Sequence, residues 1–171
     1  MWVLVYQRRD GLFEQIVSVL ETEDMKDRKS LPSEAIAGTI GAPSVRVDDL
    51  HAITGQNFSM NEFRPNPSFS AFMHYVIRTY GPSTPELQAA AIEQGEGTVS
   101  VIDFRTPEGV MGAVPPEDII GGFPVSNGRL GEYHRSGSHV VFSRNGLVQL
   151  PPPLEQLHLR ELNRIQKGNR H

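Results

Sequence analysis

The sequence predicts an α+β fold, with one domain over residues 1–150 built on a mixed or antiparallel central sheet with two central helices. A Pro-rich spacer and a C-terminal amphipathic helix follow in residues 151–171. Three observations predict this. Short β-branched runs are bounded by turn residues, two stretches near the middle repeat their apolar residues at helical spacing, and 16 glycines and 13 prolines divide the 171 residues into short elements. A chain of this length is the usual size of one domain.

The N-terminal part is predicted to contain a strand and then a helix. Trp2–Tyr6 is β-branched and aromatic and ends before Asp10-Gly11, so it predicts a buried strand. The apolar residues between Leu12 and Leu20 fit a helical repeat, which predicts an amphipathic helix packed on that strand. Residues 21–30 are densely charged and predict an exposed connection. Brief helices are predicted at 33–37 and 47–53.

Two helices are predicted near the middle of the chain. Asn66-Pro67 has the side-chain acceptor and fixed φ that suit a helix start, and Gly81-Pro82 stops the repeat that follows. A second helix is predicted from Pro85 to Gln94, with a capping box from Ser83 to Glu86. The apolar residues of the first helix lie at i, i+3, i+4, i+7, i+8 and i+11: Phe69, Phe72, Met73, Val76, Ile77 and Tyr80.

The C-terminal part is predicted to be mostly strands. Thr98–Phe104 and Ile119–Val125 are apolar runs, and Gly121-Gly122 within the second suggests a bulge or the close approach of another backbone. Asn127-Gly128 is the strongest hairpin signal in the chain. A partner or edge strand is predicted at 139–143, a turn at 145–146, a stiff proline spacer at 151–153, and a helix over 154–165.

Composition narrows the classes of function. The net charge of −4 gives no general field that would attract nucleic acid or anionic lipid, so neither is expected as a partner. The absence of cysteine excludes disulfides, thiolate nucleophiles and thiolate metal sites. We see no signal peptide and no run near the ~20 apolar residues of a membrane span, which predicts a soluble protein, cytoplasmic or exported into a target cell.

Sequence signatures of the common enzyme classes are absent. The chain has no Gly-x-Ser-x-Gly elbow, no Walker loop, no His-Glu-x-x-His and no Rossmann glycine fingerprint. Hydrolase and kinase functions are therefore disfavoured.

The order of segments in the C-terminal half resembles a known enzyme family. A buried strand at 99–105 is followed by Val-Pro-Pro-Glu-Asp-Ile-Ile at 114–120 and by a strand that closes in Asn-Gly. This order is similar to the C-terminal half of bacterial ADP-ribosyltransferase toxins, where a strand precedes an Ile-Pro-Pro-Glu-x-Ile segment. The resemblance covers about half of the chain and implies transfer of ADP-ribose from NAD to a macromolecular target.

The resemblance also implies residues that hold NAD. Such toxins begin with a strand ending in an arginine that binds the phosphate on the nicotinamide side. Residues 5–10 are similar to the family's Tyr-Arg-x-Asp, so Tyr6 corresponds to the tyrosine, while Gln7 stands where the arginine is expected. Arg8 or Arg9 takes the phosphate-binding role only if the strand end is shifted.

Two further residues are implied as catalytic. Ser59, before the helix that starts at 67, corresponds to the serine-rich strand under the nicotinamide pocket. Glu108 precedes the Pro-Pro turn, where the family has a glutamate that stabilises the oxocarbenium character of the transition state. The family has a longer connection between the strand and this glutamate, whereas in this sequence Glu108 follows the predicted strand almost at once.

The departures at Gln7 and before Glu108 keep a second hypothesis open: a non-catalytic protein–protein interaction module, toxin-associated or immunity-like, with a related fold. A third is an exported effector whose basic C-terminal helix docks on a target. Both make a protein the expected partner.

Three other groups of residues were considered. His74 and Arg78, at i, i+4 with Tyr75 between them, suggest the rim of a pocket or a solvated helix flank. Asp103 and Arg105 alternate, which predicts that they pair with each other or with a partner protein. The last group lacks helical metal-ligand spacing, so no metal is predicted there: Tyr133, His134, His139 and His158.

Overall fold

The computed structural model describes residues 2–7, 13–20, 31–45, 62–106, 114–143 and 145–168. These residues confirm the α+β prediction: they include three α-helices, one of them C-terminal, and small sheets whose strand pairs are all antiparallel. The helices are α1 (Pro67–Tyr80), α2 (Pro85–Gln94) and α3 (Pro152–Gly168). The strands are β1 (Trp2–Gln7), β2 (Phe13–Ser18), β3 (Ile36–Val45), β4 (Phe63–Pro65), β5 (Gly97–Ile102), β6 (Ile119–Ser126), β7 (Arg129–Leu130), β8 (His134–Arg135), β9 (Phe142–Ser143) and β10 (Gly146–Leu147).

The chain divides into two compact units. One contains Met1–Ala71 and Leu159–His171, and the other contains Phe72–His158. The divisions fall inside α1 and α3. That residues 1–150 form one domain stays a prediction. No helix in the described ranges has the length and apolar character needed to span a membrane.

The first unit contains a four-stranded sheet in the order β1-β2-β3-β4. The helix predicted from Leu12 to Leu20 is wrong, because residues 13–18 form strand β2. This strand lies between β1 and β3, and Ile16 and Val17 are buried. Apolar residues at these positions satisfy a central strand as well as a helix, and β-branched side chains favour the strand once both neighbours are in place.

Asn66 starts α1 as the sequence predicts. Its Oδ1 accepts a hydrogen bond from the N–H of Ser68 at 3.0 Å, while its Nδ2 donates to the carbonyls of Ser33 and Ile36. The side chain therefore caps the helix and fixes its start to the chain before β3. The brief helix predicted at 33–37 is reduced to a single 3-10 turn at Ser33–Ala35, because Ile36 enters β3. The helix predicted at 47–53 lies outside the described residues.

The second unit contains a sheet in which β6 pairs with β5 along one edge and with β7 and β8 along the other. Asn127 and Gly128 have φ of 51° and 71°, which is the conformation of a tight hairpin turn and confirms that prediction. Helix α2 packs its apolar face on this sheet. That contact consists of Leu87, Ala90, Ala91, Val99, Val125 and Leu130.

Three smaller predictions in the second unit are corrected. The residue preceding α2 is Thr84 and not Ser83, and its hydroxyl bonds back to the Gly81 carbonyl, so no capping box forms. Only Phe142–Ser143 of the stretch predicted as a strand at 139–143 is extended, and it pairs with β10 across the turn near Asn145. The spacer predicted at 151–153 is shorter, since α3 begins at Pro152, where proline's fixed φ suits a first turn.

Candidate functional site

The residues that the resemblance implies lie almost wholly outside the described ranges. Arg8, Arg9, Ser59 and Glu108 fall in undescribed segments, and Tyr6 is described only as a backbone position of β1. Their roles stay predictions. Two polar clusters lie in the second unit. Their residues come from α1, from the chain just after β5 and just before β6, from the chain before β8, and from residues 139–143 and 145–149.

Arg105 is the centre of a buried ionic cluster. Its Nε lies 2.9 Å from Oδ1 of Asp118 and 3.1 Å from Oδ2 of Asp103, and all three side chains are inaccessible to solvent. The sequence predicts the pair of Asp103 with Arg105, and this prediction is confirmed, although both residues lie just beyond the end of β5. Charged hydrogen bonds of this kind are about twice as strong as neutral ones.

The rest of the Arg105 guanidinium is bound to backbone. Nη1 donates to the carbonyls of Val141 and Gly146, both at 3.0 Å, and Nη2 donates to those of Glu117 and Val140. Arginine has five N–H donors, so every one of them is used inside the protein. This arginine therefore holds the fold together and has no donor left for a ligand.

Asp103 connects the cluster to two further segments. Its Oδ1 accepts from the backbone N–H groups of Arg105 and Gln149, and its Oδ2 lies 3.3 Å from Nε2 of His139. Its own N–H donates to the carbonyl of Asp118 at 2.8 Å. The cluster thus joins the end of β5 to the start of β6, on either side of the segment 107–113 that carries Glu108.

Phe104 is exposed although it lies between two residues of the buried ionic cluster. Its neighbours Asp103 and Arg105 are buried, and its own N–H donates to the carbonyl of Gln149 at 2.8 Å, yet 52% of the residue is exposed. Val140, whose carbonyl accepts from Arg105, is 41% exposed. The buried cluster therefore fixes the backbone beneath two exposed apolar side chains.

A second polar group joins α1 to the chain before β8. Nδ1 of His74 lies 2.8 Å from the hydroxyl of Tyr133, which lies 3.4 Å from the carbonyl of Ile120. Both contacts are satisfied together when His74 donates to Tyr133 and Tyr133 donates to Ile120. Burial, and then electrostatic interactions with His139, Arg135 and Arg78, lower the pKa of His74 to about 4, so the imidazole is neutral at pH 7. Burial raises the pKa of Tyr133, so the phenol keeps its proton as well.

His158 is buried against Phe72, with ring centroids 5.5 Å apart. Burial lowers its pKa to about 4, so it too is neutral at pH 7. Within the described ranges, no group of three or more His, Asp or Glu side chains has an arrangement that could hold a metal ion.

The structure joins residues that the sequence presents separately. His74 and Tyr133, considered in different groups, are hydrogen-bonded, and His139 binds Asp103. Asp118 is not identified from the sequence as a partner of Arg105, because the Pro-Pro-Glu-Asp segment predicts only a turn before a strand. An acidic residue in this turn is nevertheless a sequence signal for such a contact, since antiparallel pairing brings the turn before β6 to the end of β5.

Comparisons with protein-family models, with curated proteins and with solved structures find no match to this chain. Function therefore has to be inferred from the described residues and from the motifs of the sequence.

Proposed function

We propose that this chain is a protein-interaction module that binds its partner through the surface around Phe104. The observation behind the proposal is that Phe104 is half exposed, while the residues before and after it in the chain, Asp103 and Arg105, are buried. The preferred partner is a protein with an apolar pocket for this ring. In a host that uses toxins, a toxin-associated or immunity-like role fits such a module.

The rigidity of the Phe104 backbone supports this proposal. Aromatic residues dominate the energetic centres of protein interfaces, and an anchor that is already ordered loses little conformational entropy on binding. Phe104 meets both conditions, because backbone hydrogen bonds at Asp103, Phe104 and Arg105 hold its position before any partner arrives. The arginine cluster below it then serves as the support of the interaction surface.

We expect Phe104→Ala to weaken partner binding at least about tenfold, because it removes the aromatic anchor and leaves the buried cluster intact. Ile92→Ala is the matched control, since Ile92 is also a large exposed residue of the second unit, at 73%, but lies on α2. The measurement is quantitative mass spectrometry of proteins retained from the native host by the wild type and each variant, followed by titration of the purified partner.

One protein retained by the wild type and by Ile92→Ala, and lost with Phe104→Ala, is the expected result. Equal retention by all three proteins would contradict the proposal. Sedimentation velocity of the wild type alone tests whether the partner is a second copy of this chain.

An ADP-ribosyltransferase activity is the second candidate. The specific observation in its favour is that β5, the Pro-Pro turn, β6 and the Asn-Gly hairpin follow one another as adjoining antiparallel strands, in the order on which the resemblance rests. In this proposal NAD is the substrate, Tyr6 and Arg8 or Arg9 hold it, Ser59 supports the nicotinamide pocket, and Glu108 stabilises the transition state.

We expect the wild type to bind NAD in a calorimetric titration and to release nicotinamide if this second candidate is correct. Glu108→Gln should retain binding and lose at least about 100-fold in rate, because the amide cannot stabilise developing positive charge. Glu96→Gln, on an exposed side chain near the hairpin, is the control and should keep the wild-type rate. Absence of NAD binding by the wild type would remove this candidate and leave the interaction proposal untouched.

A further inference from the structure

Two arginines lie beside the His74–Tyr133 pair on the surface of the second unit. Arg78 is one helical turn after His74 on α1, and residues four apart on a helix lie on the same face. Arg135 on β8 lies opposite Gly121 on β6, so its side chain leaves the sheet on the face where a Cβ at Gly121 would meet the ring of Tyr133. Since His74 and Tyr133 are in contact, Arg78 and Arg135 flank this hydrogen-bonded pair from two different elements.

The positive charges of Arg78 and Arg135 are not offset by a carboxylate partner in the part of the chain that the structure describes. Arg78 and Arg135 are both exposed, and neither forms an ion pair with an Asp or Glu within the described residues. Burial is the main reason for the low pKa of His74, and electrostatic interactions with His139, Arg135 and Arg78 lower it further. Arg78 also opposes the rise in the pKa of Tyr133. These effects agree with the positions of Arg78 and Arg135 beside the pair on α1 and β8.

We propose that Arg78 and Arg135 form a binding site for an oxyanion, best matched by a phosphate group, beside the His74–Tyr133 pair. Guanidinium groups bind phosphate oxygens through paired N–H donors, and two of them on separate elements can contact different oxygens of one phosphate. The hydrogen-bonded histidine and tyrosine form the wall of the site. This site is independent of the proposed interaction surface at Phe104 and of the implied NAD residues.

The titration of His74 can report whether an anion is bound at this site. An anion bound between the arginines offsets their positive charge, which favours the protonated imidazole and raises the pKa of His74. The groups that act on this imidazole are Arg78 on its own helix, Arg135 on β8, His139 and the hydroxyl of Tyr133. A bound phosphate is therefore expected to shift the His74 titration upward, whereas a phosphate bound elsewhere leaves it unchanged.

The test is an NMR titration of the full chain with inorganic phosphate at constant ionic strength, following the His74 ring signals. We expect saturable shifts in the millimolar range. Arg78→Gln and Arg135→Gln should each weaken binding about tenfold, because each removes a charge-assisted contact. Arg129→Gln is the matched control: an exposed arginine of the same unit, on β7. Phenyl phosphate, compared in a second arm, distinguishes a site for phosphate esters from one for the free ion.

Saturable binding by the wild type and by Arg129→Gln, with loss in the other two variants, supports the site. Shifts that rise linearly without saturation, or equal weakening by Arg129→Gln, would overturn it, as would an unchanged His74 titration in saturating phosphate. The conservative variant Arg135→Lys keeps the charge and loses the paired donors, so an intermediate affinity is expected.

Discussion

Arg105→Met is expected to lower the free energy of unfolding by about 3–5 kcal/mol, the typical cost of removing one partner from a buried ionic cluster. Methionine fills much of the same volume but leaves the carboxylates of Asp103 and Asp118 buried without their cation. It also leaves without a donor the four backbone carbonyls that accept hydrogen bonds from Nη1 and Nη2 of Arg105. The measurement is chemical denaturation followed by circular dichroism.

The control for Arg105→Met is Arg129→Gln, which removes an exposed arginine and should change stability by less than about 0.5 kcal/mol. Arg105→Lys should lie between the two, because it keeps the charge and cannot reproduce the five donors. Converting Asp103 and Asp118 to asparagine in the Arg105→Met background removes the uncompensated charges and should recover part of the loss. A cost below about 1 kcal/mol for Arg105→Met would show that the cluster does not hold this region together.

The Arg105 cluster shows which parts of a site can be predicted from the sequence. The contact between Asp103 and Arg105 was predictable because the two residues are neighbours along the chain. Asp118 is 13 residues from Arg105, and His139 is 36 residues from Asp103, so their contacts depend on strand pairing and on the path of the chain after β8. No local pattern encodes such contacts, and the fold supplies them.

The difference between local and long-range signals also explains which secondary-structure elements can be predicted from the sequence. Helix α1 is predictable because its cap at Asn66 and its apolar spacing are local properties of the sequence, and α2 because Pro85 suits a first turn, although its predicted capping box does not form. Strand β2 was predicted as a helix because its apolar spacing fits both structures, and the pairing with β1 and β3 decides between them. The residues implied by the family resemblance stay predictions, since Ser59 and Glu108 lie outside the described ranges.

Gly121 is a position where the sequence and the structure give the same reason for a glycine, which is the lack of space for a side chain. Glycines in a strand predict a bulge or the close approach of another backbone, and a Cβ built at Gly121 lies 2.6 Å from the backbone carbonyl oxygen of His134. It also lies 2.6 Å from Cζ of the Tyr133 side chain, a contact that the sequence does not predict. Its φ is not in the left-handed region, so the constraint is space and not backbone conformation. The missing side chain lets β8 pair with β6 while the ring of Tyr133 passes over the strand to reach His74.

Gly121→Ala is therefore expected to lower the free energy of unfolding by about 2–3 kcal/mol, toward the upper end of the cost of overpacking, since a backbone carbonyl cannot rotate away. Gly137→Ala is the control, because nothing lies within 4 Å of its Cβ and its φ is ordinary, so it should change stability by less than about 1 kcal/mol. Denaturant titration of both variants gives the comparison.

Tyr133→Phe separates the two causes of the Gly121 effect. Removing the hydroxyl relieves the nearest contact of the new Cβ but leaves the His134 carbonyl and the ring carbon Cζ of residue 133 in place. The double variant Gly121→Ala/Tyr133→Phe should therefore recover only part of the stability lost in Gly121→Ala, when each is compared with its parent in a double-mutant cycle. Full recovery would assign the whole constraint to the tyrosine hydroxyl, and equal stability of Gly121→Ala and Gly137→Ala would show that β8 does not press on β6. Partial recovery shows that the His134 carbonyl and the aromatic ring at position 133, which both remain in the double variant, supply the rest of the constraint.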